Sequence, residues 1–592
     1  MTHWSENSTR LQLKTIQIRE LSELQTSSDA PDVSLFWFPA DRTCDDAKAA
    51  QPEFERLAAY CSHLSRGATV CILTTAPDAA ILLPYLEKEL KFQLWVAVKT
   101  EANAAILEAG ELPNRHTALL VLTRYHGSLR HTKTRIQYTY CPACGKTTKD
   151  YGGKKHTYHE YGTLMSDVWR DIECNPKNNI DAVIDRLRDL FGLDDYSALQ
   201  VFDLRGCADL LPQRQPEAVY ETRLALEWNV PSLPLDSQLL NRDCIEALQS
   251  IPDNSIDFCF ADPPYNLQKK YDRWNDALES IEYFAWCDQW LSQLYRVLKP
   301  RRTLAVLNIP LWAVRHFQHL ASFMRFQSWI VWEALGFPVR MVMPAHYVIL
   351  CFSKGEPRPL PGLDADCDTP DGEFLEPLAA SYCLRAPCIA RRNRAGKSDR
   401  DQISDLWSDI HRLKHNSRRV DHPCQLPPLL MRRLFALFTN PEETVLDCFN
   451  GAGTSTLVAQ QMQRRFIGIE LSTQYYQIAQ QRHEQLGCGS DPFGKTDTTP
   501  KAKNSPVQRM PKQKYAVSKK QLQLDVKRIA RQLGRLPSRE EVKLLSKFPM
   551  EYYDRYFASW GEVCAAARTT GMSELPKERH TDTQQIVLSL DF

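Results

Sequence analysis

The sequence predicts an α/β protein, and three features carry that expectation. "IDFCFA" (256–261) is a short apolar and aromatic run of buried-strand type that ends on "DPPY" (262–265). "TVLDCFNGAGTSTLVAQQMQRRFIGIEL" (444–471) passes from strand through a glycine loop and a helix to a second strand, a βαβ unit. The hydrophobic rhythm of the first 230 residues follows that of the second half in one order. A length of 592 residues allows about three to four domains.

Bulk properties narrow the setting. The chain is 43% hydrophobic and 24% charged with a formal charge of +1, so nucleic-acid binding has to be sought in local charge rather than in the total. The first 25 residues lack the apolar core of a signal peptide. The longest apolar stretches, such as "TLAVLNIPLWAV" (303–314), are too short to span a bilayer and contain proline. Eighteen scattered cysteines suit reduced thiols rather than a disulfide framework. A cytoplasmic protein without membrane partners is expected.

Along the chain, residues 1–230 form the first predicted unit. "DVSLFWFPADR" (32–42) parallels "SIDFCFADPPYN" (255–266), and "YCSHLSRGATVCILT" (60–74) parallels "LYRVLKPRRTLAVLN" (294–308). "FQLWVAVKTE" (92–101) parallels "FQSWIVWEA" (326–334), and "HTALLVLTRY" (116–125) parallels "HYVILCFSKG" (346–355). "MSDVWRDI" (165–172) parallels "ISDLWSDI" (403–410), and "VIDRLRDLFGLDDYSALQVFDLRG" (183–206) parallels "LMRRLFALFTNPEETVLDCFNGAG" (430–453). Six matches in one order imply a domain-scale duplication; two unrelated α/β domains of similar rhythm are the alternative.

An insert at about 138–163 interrupts the first unit. Cys141 and Cys144 form a CxxC knuckle, and His156 and His159 follow a Gly- and Lys-rich turn. Cys₂His₂ ligation by structural zinc matches the ligand preferences of the ion, and nearby lysines suit a DNA-contacting zinc ribbon. Replacement of one His by Cys174, or no metal at all, are the other readings.

Residues 231–485 carry the chemistry. Pro263 and Pro264 fix two φ angles at the end of a strand, which holds Asp262, a proline carbonyl and Tyr265 in a set relation suited to a flat, amine-bearing ring. Gly451 and Gly453 let a ligand approach the backbone, and Glu470 at the end of the next strand can accept hydrogen bonds from ribose hydroxyls. Two glycines instead of the three of a dinucleotide fingerprint favour a single nucleoside. Taken alone, the loop is also compatible with a plain structural turn.

Together the two motifs resemble the beta-class DNA amino-methyltransferases, in which DPPY precedes the cofactor motif. "HPCQLP" (422–427) is similar to the family's HPTQKP, and the resemblance covers about 237–485. It implies a Rossmann-like S-adenosylmethionine-dependent methyltransferase fold with a degenerate N-terminal copy, since "FPAD" replaces DPPY there and no FNGAG loop follows. It implies catalytic roles for Asp262, Pro263, Pro264 and Tyr265. It also implies a cofactor pocket of Asp243, Asp447, Phe449, Gly451, Gly453, Thr454 and Glu470; a plain core aromatic is the other reading of Phe449. Cys448, Ala452 and Leu426 depart from the family pattern, the last removing a cation near the cofactor. "KPRRT" lacks the usual glycine pair, which is expected to reshape a turn only.

The resemblance further implies site-specific methylation of double-stranded DNA, with adenine N6 as target because the tetrad begins with Asp. Cytosine N4 is the first alternative, and a non-catalytic DNA-binding regulator is the second. Restriction-modification or phage defence, with a separate nuclease or defence proteins as partners, is the implied setting. Target recognition is expected at about 356–420, where "CLRAPCIARRNRAGKSDR" (383–400) holds six cations and one Asp; a solvated basic loop is the other reading.

Residues 486–516 are polar and read as a flexible linker. The amphipathic segment 517–572 resembles the homing-endonuclease-associated repeat, a small helical module, and "SREE" (538–541) has the form of a capping box; residues 573–592 form a tail. From 485 onward nineteen Lys and Arg stand against twelve Asp and Glu, which suits a DNA tether; a protein-interaction module is the alternative.

Overall fold

The apolar runs form two mixed sheets with helices packed on them. The computed structural model describes, with short interruptions, residues 14–210, 235–360, 375–410, 425–493 and 517–565. The first sheet contains β1 (Lys14–Gln17), β2 (Val33–Trp37), β3 (Thr69–Thr74), β4 (Leu90–Thr100), β5 (His116–Arg124), β6 (Val168–Cys174) and β7 (Leu199–Asp203). The second contains β8 (Gln238–Leu240), β9 (Ile256–Ala261), β10 (Leu298–Asn308), β11 (Arg325–Glu333), β12 (His346–Ser353), β13 (Leu406–Trp407), β14 (Thr444–Asp447) and β15 (Arg465–Ile469). Central strands such as β2, β3 and β9 are buried along their whole length, as expected for continuous apolar runs covered on both faces.

The spatial orders are β1-β7-β2-β3-β5-β4-β6 and β8-β15-β14-β9-β10-β12-β11-β13. Six strands therefore recur: β7-β2-β3-β5-β4-β6 matches β14-β9-β10-β12-β11-β13, with the same parallel and antiparallel pairing at every step. Even an irregularity is shared, since register shifts between Phe92 and Leu94 and between Phe326 and Ser328. The sheets differ at one end. Beyond β14 the second sheet adds β15 and β8, whereas β1 pairs directly with β7 in the first.

"YRVLKPRRTLAVL" (295–307) passes from helix to strand without a loop between them. The helix Ser280–Val297 runs straight into β10, and Arg301 takes the bend at φ +65°, a conformation that glycine adopts more readily. The helix Thr473–Gly487 likewise reaches into the stretch expected to be linker, of which 494–516 lies outside the described residues, as does the tail.

Parallel register positions the site. Phe260 of β9 lies opposite Asp447 of β14, and Asp447 lies opposite Gly468 of β15. The carboxyl ends of three neighbouring strands thus bring Asp262, Asp447 and Glu470 to one edge, where ligands of open α/β sheets bind.

The helices Lys519–Leu533, Arg539–Leu545, Met550–Tyr556 and Trp560–Ala565 close on their own core of Leu522, Val526, Ile529, Val542, Tyr553 and Phe557. The capping box forms: Glu541 N–H donates to Ser538 Oγ at 3.2 Å, and Ser538 N–H to Glu541 Oε2 at 2.7 Å. This bundle rests on the first half through Lys527 Nζ to the Phe191 carbonyl at 3.0 Å and Arg531 to Asp32 at 3.2 Å. No helix among the described residues is long and apolar enough to cross a membrane.

Candidate active site

The Pro-Pro corner is fixed from behind by two side chains. The Tyr283 hydroxyl donates to the Pro264 carbonyl at 2.7 Å, and Trp312 Nε1 donates to the Tyr265 carbonyl at 2.7 Å. The Tyr265 hydroxyl in turn donates to Asp262 Oδ1 at 2.7 Å. The following loop is pinned by Asp276, whose carboxylate accepts from Asn266 N–H at 2.8 Å and Leu267 N–H at 2.9 Å. With both prolines restricting φ, the corner has little freedom left.

The glycine loop is built for two different reasons. Gly451 has φ +53° and its N–H donates to Glu470 Oε2 at 2.8 Å. Gly453 has φ +84° and caps the helix Thr454–Gln461; a Cβ there would lie 3.0 Å from the Ala479 Cβ. The second glycine thus serves close helix packing as well as backbone conformation. Glu470 Oε1 also accepts from Ser472 N–H at 2.7 Å, so two backbone donors orient its carboxylate. Asp243 caps the helix Cys244–Gln249 by accepting from Ile245 N–H at 2.9 Å and Glu246 N–H at 3.2 Å.

One cleft is lined by all four DPPY residues and by Asp243, Asp447, Phe449, Gly451, Thr454 and Glu470. Gly453 is the one predicted pocket residue not on its wall. Among the described residues four carboxylates face this cleft against a single guanidinium, that of Arg242, and Leu426 lines it where the resemblance leads one to expect a cation. The wall accordingly favours a cationic or hydroxyl-bearing ligand over a phosphate.

Asp447 is fully buried. Burial pushes its carboxyl up to about 7, against hydrogen bonds from the Ser455 hydroxyl and from Phe449 N–H, and the nearby Asp262 charge pushes in the same upward direction. Phe449 packs against Trp286 and Trp290 with ring centroids 5.7 and 5.2 Å away, so it is a core aromatic and a cleft residue at once. Five lining aromatics were not singled out from the sequence: Trp274, Trp286, Trp332, Tyr347 and Tyr475. Tyr347 lies 6.0 Å from the Tyr265 ring, extending the flat wall beside Asp262. Its place at the start of a strand neighbouring β10 is the signal that could have found it.

The expected metal ligands are placed differently. Cys141 and Cys144 come together, but the third member of their group is Cys388, from the helix Ala386–Arg394. His159 lies outside that group, His156 lies outside the described residues, and Cys174 is buried in the core of the first sheet.

The DNA methylase family model N6_N4_Mtase matches residues 256–481, which span both motifs and most of the cleft wall. The homing endonuclease associated repeat matches residues 517–567, the helical bundle. Over the methylase segment the chain is 31% identical to the type II methyltransferase M.BamHI of Bacillus amyloliquefaciens across 241 residues, 40% of this chain and 54% of that protein. It therefore spans about half the length of that relative. It is 28% identical to the DNA adenine methyltransferase YhdJ of Escherichia coli (strain K12) across 246 residues, 41% of this chain and 81% of that protein. The solved cytosine-N4-specific PvuII DNA methyltransferase aligns with 42% of this chain and 86% of its own at 19% identity, with a TM-score of 0.30.

Proposed function

We propose that the chain is an S-adenosylmethionine-dependent DNA methyltransferase acting on the exocyclic amine of a flipped base, adenine N6. What carries this reading is that Asp262–Tyr265 and the Gly451–Glu470 pair line one cleft although almost two hundred positions separate them.

The amine of adenine is a poor nucleophile because its lone pair is delocalised into the ring. The Asp262 carboxylate and the Pro263 carbonyl accept its two N–H groups and favour the charge that develops on nitrogen, as preorganised acceptors do. Tyr265, with Tyr347 beside it, offers a stacking face worth about 1–3 kcal/mol per base. The Tyr265 hydroxyl bond to Asp262 is then exchanged for bonds to the base. When bound, S-adenosylmethionine supplies the electrophilic methyl group. Glu470 would accept its ribose hydroxyls and Phe449 would pack on its adenine. The four carboxylates of the wall suit its positive charge. A base within a duplex cannot reach so enclosed a wall, so flipping is part of the reading.

Adenine is supported by Asp at the head of the tetrad and by the likeness to YhdJ. The six recurring strands support a first half that is a copy without chemistry. A site-specific role beside a separate nuclease, in restriction-modification or phage defence, is supported by likeness to a protein called a type II methyltransferase.

The test is transfer of a labelled methyl group to duplex DNA, followed by digestion and separation of nucleosides. Label in N6-methyladenine is expected. Label in N4-methylcytosine overturns the adenine assignment, and DNA binding without any transfer overturns the enzyme.

A further inference from the structure

The fold brings three thiols together from two distant parts of the sequence. Cys141 and Cys144 sit on a small hairpin of the first half, in which Tyr140–Cys141 pairs with Lys146–Thr147. Gly145 closes the turn at φ +63°, and its N–H donates to the Cys141 carbonyl at 2.9 Å. Such a knuckle turns both sulfurs to one side. Cys388 belongs to the second half. It occupies the first turn of the helix Ala386–Arg394, is 4% exposed, and its sulfur lies 4.0 Å from that of Cys141. All three sulfurs fall within 4.8 Å of one another.

These separations discriminate between uses of the thiols. A disulfide needs about 2.0 Å between sulfurs. Tetrahedral zinc with Zn–S bonds of about 2.3 Å places its sulfur ligands about 3.8 Å apart, the edge of that tetrahedron. The sequence holds one more cysteine close in number, Cys383, which lies outside the described residues.

We propose that Cys141, Cys144 and Cys388 ligate a single structural Zn²⁺ ion that fastens the helix Ala386–Arg394 of the methylase half to the hairpin of the first half. Each thiol gives up its proton to solvent on binding and no redox change is involved. The fastened helix carries Arg391, Arg392 and Arg394 in its last turn, so the ion sets the position of a basic surface within the segment between β12 and β14. The first half would thereby hold the part of the methylase half that the sequence assigns to DNA contact. This follows from the thiols alone and does not depend on the methyl-transfer reading.

The full chain, purified under reducing conditions without chelator, is expected to contain one zinc per molecule by elemental mass spectrometry. Cys388→Ser should lower the content several-fold, while Cys174→Ser, in the core of the first sheet, should leave it unchanged. Should Cys388→Ser fail to fold, Co²⁺ exchanged into the unmodified protein reads the same site: thiolate charge-transfer bands with tetrahedral d–d absorption are expected. Methyl transfer need not be measured. Absence of zinc from the unmodified protein, zinc retained in full by folded Cys388→Ser, or a Cys141–Cys388 disulfide in the non-reduced protein each overturns the proposal.

Discussion

The two halves share a six-strand frame and use its carboxyl edge in opposite ways. Trp37 of β2 lies opposite Asp203 of β7, as Phe260 of β9 lies opposite Asp447 of β14. By that register Pro39 stands where Asp262 stands, one residue on from the "FPAD" for DPPY match expected from the sequence, and Arg205 stands where Phe449 stands. In the second half the edge opens into the cleft. In the first half Arg205 closes on Asp203, with Nε 2.8 Å from Oδ1 and Nη2 2.6 Å from Oδ2, and lies 3.5 Å over the Trp37 ring. Close by, Arg42 pairs with the buried Asp78 at 3.0 Å. At matching edge positions one frame thus carries acids and aromatics around a cleft in the second half and an arginine–carboxylate pair in the first.

The comparison breaks most readily at Asp262. Asp262→Ala should lower the single-turnover rate of methyl transfer by at least about 10²-fold, the scale for loss of one preorganised partner of developing charge. Arg205→Ala, at the matching edge of the first half, should leave that rate within a few-fold. If Arg205→Ala lowers it as far as Asp262→Ala does, the first half takes part in the chemistry and the contrast fails.

The halves also exchange partners. His116 Nδ1 of β5 lies 2.9 Å from Asp405 Oδ2 in the second half, and His346 Nδ1 of β12 lies 3.0 Å from Asp167 Oδ2 in the first. The backbone repeats this, with Arg115 N–H donating to Asp405 at 2.7 Å and Ala345 N–H donating to Asp167 at 2.8 Å. Trp95 and Trp329, from the matching strands β4 and β11, stack between the halves at 4.7 Å. Removing one carboxylate leaves buried donors unsatisfied, so Asp405→Ala and Asp167→Ala should each cost about 1–3 kcal/mol in denaturant unfolding. A double-mutant cycle should couple His116 with Asp405 and not with Asp167. Unequal losses, or coupling in the wrong pair, would show that the reciprocity is only geometric.

This exchange marks the limit of what the sequence discloses. Strand runs, the Pro-Pro corner, the glycine loop and the Ser538 cap are legible because each is a local pattern with a local physical cause. The repeat made even the frame visible. Contacts across the halves have no such signature: nothing periodic joins Cys388 to Cys141, 247 positions away, and the sequence offers no local pattern that groups the two. The His–Asp exchange was present in outline, since "HTALLV" and "HYVILC" both begin with His while "MSDVW" and "ISDLW" both carry Asp. Identity at matched positions of two otherwise divergent copies was the usable signal. The aromatic wall was missed for a different reason, because Trp274, Trp332 and Tyr347 look like ordinary core residues until the cleft is formed.

Asp447 and Asp203 hold one position and titrate in opposite directions. Burial dominates at Asp447 and pushes it from 3.8 up to about 7, so the folded chain keeps a proton that the unfolded chain has released. Its contribution to stability is full below pH 4 and is lost as pH rises through about 7. Asp203 also feels burial, but the Arg205 hydrogen bonds and charge outweigh it and leave the carboxyl lowered. Its stabilisation is present at neutral pH and lost in acid. Asp447→Asn should therefore flatten the decline in unfolding free energy between pH 4 and 7, with the slope left by Asp78, itself raised to about 6, still visible. Asp203→Asn should instead flatten the loss in strong acid. An unchanged slope in Asp447→Asn would mean that the carboxyl finds water in solution.

The smallest effect lies at the bend before β3 and its counterpart within β10. Gly67, at φ +85°, donates its N–H to the Arg124 carbonyl at 3.2 Å; Arg301, at φ +65°, donates to the Lys354 carbonyl at 2.8 Å. The turn is the same, and only the first half has the residue that takes it without steric cost. A left-handed L-residue costs about 1–2 kcal/mol, partly offset because glycine loses more backbone entropy on folding. Arg301→Gly should thus stabilise the chain by under about 1 kcal/mol, while Gly67→Ala should destabilise it by about 1 kcal/mol, both read from denaturant midpoints. A loss of stability in Arg301→Gly would mean that the arginine side chain contributes more than its backbone costs. The glycine missing from "KPRRT" would then be a replacement that the second half has come to rely on, and not merely a strain it tolerates.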